Sequence, residues 1–399
     1  MQKIVVLGGG YAGVNAVREL VKDKNIEIIL IDKHTYHNLQ PEVYNFIASK
    51  SDLADVTVDL FTLCNGINHP NLHFMNKRVI DCDLNSKTII FSEGENLKYD
   101  YLLLAYGGRT SFPYSIDGLK NTDDLKKLHR ALMFKQSFES SLLQKIEDAC
   151  RKCVDSHIVI VGGGLSGVEI AAEMAHFSRK FFQSGTFACH SMKISLICGS
   201  GGILKGMHQK LIIKAKERLH SLDVNVHEGV RMKSCDNDTL YLENNLKLPY
   251  SFIVFAGGME AANISTKIDA SKNKKAQIIA NCFLQLDNYP EVFVAGDAAE
   301  VKDNKTNRIL APCVLVSKHS SQRAAKNILA LINNKPLEEC RASVDGILVA
   351  LGGRYAVCDL FGKVFVNGFL GYLLKEFVFL RYKLPLQRIS RNGYKKLNL

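Results

Sequence analysis

Apolar positions along this chain recur in one order, strand, glycine run, one-faced helix, strand. Residues 3 to 32, KIVVLGGGYAGVNAVRELVKDKNIEIILID, open with a continuous apolar run and pass through glycines into a helix whose apolar positions share one face. A second apolar strand then closes on Asp32. The order returns at residues 157 to 175, HIVIVGGGLSGVEIAAEMA, with KISLICGSGGIL at residues 193 to 204 as its second strand. Between the two, RVIDCDLNSKTIIFSEGENLKYDYLLLAYGGRTSFP alternates like a small antiparallel meander that ends in a buried strand. Later, YSFIVFAGG (250 to 258) and EVFVAGDAAE (291 to 300) are strands that stop at glycine. The pattern predicts an α/β protein with two Rossmann-like three-layer domains. The first is discontinuous, residues 1–112 and 283–340, with the second inserted at 113–282 and a C-terminal segment at 341–399.

The glycine spacing carries chemistry. Gly8 permits the tight turn, Gly10 lets backbone approach a pyrophosphate, and Gly13 lets the helix sit close to its strand. The helix N-terminus adds amide donors and positive dipole. Asp32, 19 residues after Gly13, can accept hydrogen bonds from a ribose. Gly162, Gly164 and Gly167 repeat the offsets, so two units imply two dinucleotides, the first held tightly and the second exchanging. The second unit departs in one place: its second strand ends in Cys198 rather than an acid. The lost carboxylate removes a ribose contact of about 1–3 kcal/mol. It also removes the charge that repels a ribose 2′-phosphate, so strict NADH preference is not assured and NADPH stays open. Asp297, after Gly296 at a strand end, suits a further sugar or phosphate contact.

At 399 residues the chain can hold two or three cores, and 47 % hydrophobic and 23 % charged residues describe a globular protein. The net charge of +11 fits phosphate-rich cofactors or an anionic membrane surface. No Lys/Arg run is interleaved with aromatics, so nucleic acid is not expected as a partner. The chain opens on an apolar strand without signal-peptide regions, and the eleven scattered cysteines fit a reducing cytoplasm. Cys150 and Cys153 form the one close pair, weak evidence for zinc or a redox centre, and no metal is expected.

These motifs resemble the two-dinucleotide flavoprotein disulfide-reductase superfamily, and within it the type II NADH dehydrogenases, which are NADH:quinone oxidoreductases. The likeness also rests on DKHTYHNLQPEVY from Asp32, YDYLLLAYGG from Tyr99, the GVE of Val168 and Glu169, and VAGDAA. Its most specific marker is LGGRYAVCDLFGKVFVNGFLGYLLKEFVFLRYKL from Leu351. The resemblance implies that Gly8, Gly10, Gly13, Asp32, Val79 and Asp297 hold FAD, with Tyr36 to Pro41 near the flavin. The second motif would receive NADH. Ala12, Lys33, Gln40, Ala105, Gly107, Cys198, Gly257 and Gly296 complete the implied cofactor-binding set. Glu169 would be a proton relay beside the nicotinamide; read alone, it is equally an acid complementing a helix dipole.

Electrons would then pass to a quinone without proton pumping. The family's AQ-x-A-x-Q quinone motif is altered here to Val314, Leu315, Ser317 and His319 in PCVLVSKHSSQRAAKNI. His319 could offer protons near neutral pH, or these could be ordinary helix residues. The CxxxxC of disulfide reductases does not follow Asp32. Sulfide:quinone reductases use well-separated cysteines, for which Cys198 and Cys313 are conceivable. A sulfide:quinone reductase, or another FAD-dependent oxidoreductase not using NADH, is therefore the alternative. A flavin-binding scaffold without turnover is a third reading.

In the C-terminal segment, Lys375, Glu376 and Arg381 interrupt a Leu/Phe/Tyr run, so no stretch reaches the ~20 apolar residues of a membrane span. An amphipathic helix lying in the interface fits, followed by a basic tail of Arg388, Arg391, Lys395 and Lys396. The pattern alone fits equally a helix packed on the protein or on a second subunit of a homodimer. The resemblance implies peripheral docking on the cytoplasmic face of the inner (plasma) membrane, and a quinone-side role for Lys375.

Overall fold

The computed structural model describes residues 1–113, 116–119, 122–148, 155–182, 191–303 and 306–397, so Cys150 and Cys153 lie outside the described residues. The first glycine unit is built on a six-stranded sheet ordered 285–286, 289–294, 101–104, 2–7, 26–32 and 72–76. All neighbours are parallel except the outer hairpin. Its central strand, Gln2–Leu7, is apolar from Ile4 to Leu7, where helices and loops cover both faces; Ile4, Val5 and Val6 are fully buried.

The second unit repeats the plan. Its four parallel strands run 224–228, 191–198, 155–161 and 252–255, so third, second, first and returning strands keep the same order. Each unit also carries a three-stranded antiparallel meander. One is Val79–Asp83, Thr88–Phe91 and Asn96–Lys98; the other, not foreseen from the sequence, is Met232–Cys235, Thr239–Leu242 and Lys247–Pro249.

Burial stitches the expected domains together. Ile268 and Ile278, upstream of residue 283, pack into the first core. Val43, Tyr44, Phe46 and Ile47 from the first unit pack into the second core, together with Val349, Leu351 and Val357 from the C-terminal segment.

The C-terminal helix corrects one expectation. It runs unbroken over Gly368–Lys396 through Pro385, so Arg388, Arg391, Lys395 and Lys396 are its last turns and not a tail. Proline removes one backbone donor and crowds the carbonyl four residues back, and tertiary packing outweighs that cost. The helix lies against Leu60–Gly66, where a Cβ on Gly66 would fall 1.8 Å from the Ile389 carbonyl oxygen and one on Gly393 1.9 Å from that of Thr62. Thr62 and Ser390 hydroxyls meet at 2.6 Å, and Lys383 reaches Asp55 at 2.7 Å. No described helix is long and apolar enough to cross a membrane.

Candidate active site

Both glycine loops show the same steric logic. Gly8 sits at φ +116°, and a Cβ there would fall 2.3 Å from the Ala105 carbonyl oxygen. A Cβ on Gly13 would fall 1.7 Å from Gly8 O, which only glycine avoids. In the second loop Gly162 sits at φ +131° with Ala256 O at 2.5 Å, and Gly167 would meet Gly162 O at 1.8 Å. The middle glycines differ from both neighbours: a Cβ on Gly10 or Gly164 would meet nothing within 4 Å. Each loop thus presents an open backbone surface at the start of a helix, Tyr11–Leu20 or Leu165–Phe182.

Beside the first loop, Asp32 accepts from Gly9 N at 2.6 Å and, through its other oxygen, from His34 N at 2.8 Å. Burial lowers the pKa of Lys33, with Arg78 adding to the effect. Ala12 lies under Gly296, whose added Cβ would come within 2.8 Å of it, and Gly296 N donates to Ser320 Oγ at 3.0 Å. Val79 is half-buried and begins the first meander. Asn38 Nδ2 donates to Gln40 Oε1 at 3.0 Å, while Asn38 Oδ1, Gln40 Nε2 and His319 Nδ1 are buried without hydrogen-bond partners. Buried polar atoms left this way fit a polar cofactor that would satisfy them.

The second loop is different at the matching place. Cys198, expected among the nucleotide contacts, is 0 % exposed, and its Sγ lies 2.6 Å from where a Gly163 Cβ would stand. Burial, then the nearby Glu228, pushes its thiol up to about 12. It fills space and offers no surface to a ligand.

The ends of the two sheets meet. Gly108–Thr110 pairs antiparallel with Met259–Ala261, and Arg109 bridges to Glu260 at 2.6 Å. Gly107, just before this pair, is left-handed with open space around it. A Cβ on Gly108 would lie 3.3 Å from Asp297 Cβ. Burial raises the Asp297 carboxyl to about 6, opposed by Ser317, whose hydroxyl donates at 3.3 Å, and by Lys126. Lys126 in turn donates to Gly257 O at 3.3 Å, so one ammonium serves both units.

Deeper in the second unit, buried Glu169 accepts from Ala350 N at 2.8 Å and lies 3.5 Å from Lys375 Nζ. Burial raises its pKa, Lys375 and the Ala350 N–H oppose the rise, and Glu42 and Glu173 add to it. Burial alone would lower Lys375, yet the carboxyls of Glu169, Glu42, Glu173 and Glu376 carry it above its ordinary value. Lys375 thus joins Glu169, whereas Val314, Leu315 and His319 stand on Val314–Ile332, the helix that brings Ser317 to Asp297.

The sequence profile of the pyridine nucleotide-disulphide oxidoreductases matches residues 2–327. The chain belongs to this family. Among curated relatives, the type II NADH:quinone oxidoreductase of Haemophilus influenzae is 24 % identical over 395 residues, 91 % of this chain and 88 % of its own length. Among solved structures, NDH2 of Plasmodium falciparum in complex with NADH superposes with a TM-score of 0.83 at 18 % identity, covering 100 % of this chain and 98 % of that one. The sulfide:quinone oxidoreductase of Aquifex aeolicus gives 0.78 at 16 % identity, covering 98 % and 92 %. At these identities the structures establish a shared fold.

For this family member, the cysteines weighed as a redox pair sit apart. Cys198 is in the second sheet, and half-buried Cys313 precedes the Asp297-side helix of the first unit, its thiol raised by burial.

Three site groups were not singled out in the sequence, although His37 and Glu42 lie in the stretch after Asp32 that carries the resemblance. His37 is fully buried, with Nδ1 3.1 Å from Gly9 O and Nε2 3.0 Å from the Tyr382 hydroxyl. A carbonyl only accepts, so the neutral ring carries its proton on Nδ1 and Nε2 accepts from tyrosine. Burial lowers this histidine to about 4. Glu42, held by Asn45 Nδ2 at 2.6 Å, and Lys126 are the others; their partners lie across the fold or carry no motif.

Proposed function

We propose that this oxidoreductase takes reducing equivalents from a nicotinamide nucleotide at the second glycine loop and delivers two electrons to a quinone, using FAD at the first. The observation that carries this reading is the meeting of the two sheet ends at Gly108, Glu260, Lys126 and Asp297, which brings two cradles of equal geometry to one junction. When bound, FAD supplies the two-electron chemistry, accepting a hydride and releasing electrons singly or in pairs. Gly8 and Gly13 set the close-packed turn that leaves the Gly10 backbone open, which would face the pyrophosphate; Asp32 would accept from a ribose hydroxyl, and Asp297 would make a further sugar or phosphate contact. Gly162, Gly164 and Gly167 do the same for the nicotinamide nucleotide.

Glu169 is the proton-holding group of this scheme. Its raised pKa lets the carboxyl stay protonated nearer to neutral pH, and Lys375 remains charged beside it to stabilise the carboxylate once the proton leaves. Val314, Leu315 and His319, on the helix that reaches Asp297, would face the quinone, and the unpartnered His319 Nδ1 would offer it a polar contact.

The C-terminal helix supports peripheral attachment to a membrane, where a quinone resides. Leu370, Leu373, Phe377, Leu380 and Leu384 recur at alternating three- and four-residue steps and are all exposed, Leu370 to 67 % and Phe377 to 62 %. Phe361 and Val364 on the preceding hairpin extend the exposed apolar surface. A stripe of this kind inserts into the headgroup boundary while the net charge of +11 favours anionic lipid.

The test is steady-state turnover of the purified flavoprotein. Oxidation of NADH or NADPH that depends on added quinone is expected; quinone reduction driven by sulfide with no nucleotide supports the alternative instead. Sedimentation with anionic vesicles, lost on Leu370→Glu/Phe377→Glu, tests the docking face.

A further inference from the structure

The adenosine end of the second nucleotide site has a charge pattern opposite to that of the first. Where Asp32 sets a carboxylate at the first ribose position, the second strand ends in the buried thiol of Cys198. Beyond it the chain turns through Gly199, Ser200, Gly201 and Gly202, with Gly201 and Gly202 at φ +113° and +67°. Two cations converge on this turn. The Arg231 side chain lies across Gly199, its Cγ 3.3 Å from where a Cβ would stand, and its Nη2 donates to Ser200 Oγ at 3.1 Å. Lys205 Nζ donates to Ser200 O at 3.2 Å, and its stem covers Gly201.

The Glu228 carboxylate at this rim is occupied. Glu228, on the strand beside Cys198, accepts from Lys216 Nζ at 2.6 Å and from Ile203 N at 3.0 Å, and Lys216 holds its pKa below the usual range. Neither Arg231 nor Lys205 is paired with a carboxylate among the described residues. The turn also touches the glycine loop: Leu204 N donates to Gly163 O at 2.7 Å, so the segment on which the two cations converge adjoins the cradle.

A ribose 2′-hydroxyl is best met by a carboxylate, and a 2′-phosphate by a planar guanidinium and an ammonium. We propose that the second site selects the 2′-phosphorylated nicotinamide dinucleotide, NADPH, with Arg231 and Lys205 as its specificity residues and Ser200 as the hydroxyl between them. The assignment rests on the reading of the second glycine loop as a nicotinamide site and adds which nucleotide it takes.

Binding of adenosine 2′,5′-bisphosphate and of 5′-AMP to the flavin-loaded protein, measured by calorimetry, isolates this end of the ligand. The bisphosphate is expected to bind about tenfold more tightly or better, the scale of a charge-assisted hydrogen bond. Arg231→Ala is expected to remove most of that advantage, Arg231→Lys to restore part of it, and added salt to shrink it in the native protein. Anaerobic flavin reduction by NADPH and by NADH gives the second readout, with NADPH faster at low concentration. Equal affinity for the two adenosine ligands, or an equal loss for both in Arg231→Ala, overturns the assignment while NADH still bleaches the flavin. Failure of either dinucleotide to bind or bleach overturns it together with the nicotinamide reading.

Discussion

The first glycine loop places an added Cβ 2.3 Å from a carbonyl at Gly8 and 1.7 Å at Gly13; the second gives 2.5 Å at Gly162 and 1.8 Å at Gly167. With backbones this alike, the two sites differ in what surrounds them. Asp32 accepts from Gly9 N, while Cys198 packs apolar sulfur on Gly163. The Gly9 carbonyl faces the His37 ring, whereas the Gly163 carbonyl takes a backbone amide from Leu204. Two residues past the last glycine, Asn15 donates to Tyr11 O on its own helix, while Glu169 faces Lys375 from another part of the chain. Repetition thus preserves the glycine turn, which is backbone geometry, and frees the side chains around it to differ.

The largest expected effect comes from breaking either cradle. Gly13→Ala should cost the protein its flavin, read as absorbance per mole of purified chain. Gly167→Ala should keep the flavin but slow its reduction by nicotinamide nucleotide about a hundredfold, as a displacement of about 1 Å at a reacting centre does. Equal losses of flavin in both variants would erase the division of labour.

Next is Glu169→Gln, expected to lower turnover about a hundredfold with flavin content intact. Because the Glu169 pKa is raised, the proton it donates is present to higher pH than on an ordinary carboxyl. Turnover in the native protein should fall as pH rises through that ionisation, and the Gln variant should lack this limb. Unchanged turnover would remove Glu169 from the mechanism.

His37 sharpens the contrast through stability. Its folded pKa, lowered to about 4, lies below the unfolded value of about 6.5, so the unfolded chain binds the proton more tightly. The contribution is complete above about pH 6.5 and is lost as pH falls towards 4, up to about 3 kcal/mol. Denaturant titrations between pH 7 and 4.5 should show this loss, and His37→Gln should flatten it. An unaltered slope would mean that other groups govern the acid limb. The smallest effect is Asp32→Asn, expected to weaken FAD about tenfold while leaving nicotinamide affinity unaltered.

The fold was legible because apolar runs, glycine offsets and turn residues are local. The second meander was less so, since Met232–Cys235 and Thr239–Leu242 mix polar and apolar residues on a half-exposed face. Arg388 to Lys396 read as a tail and not as helix because the packing of Gly66 on Ile389 and of Gly393 on Thr62, which offsets the cost of Pro385, joins segments remote in sequence. The geometry of the candidate site was legible where it travels with a motif, as at Gly8 to Gly13 and Gly162 to Gly167. It was not where partners are distant: Tyr382 reaches His37, Lys126 reaches Gly257, and Arg231 covers Gly199. Cys198 was visible as a missing acid, but its burial beneath Gly163 depends on how the loop folds over the strand end.

The division into a flavin cradle and a nicotinamide cradle is tested most directly by anaerobic titration of the purified flavoprotein, following flavin absorbance. Added NADPH or NADH should bleach the flavin at one equivalent, and a quinone should then restore the oxidised spectrum. A flavin that stays oxidised under both nucleotides but is bleached by sulfide would contradict it.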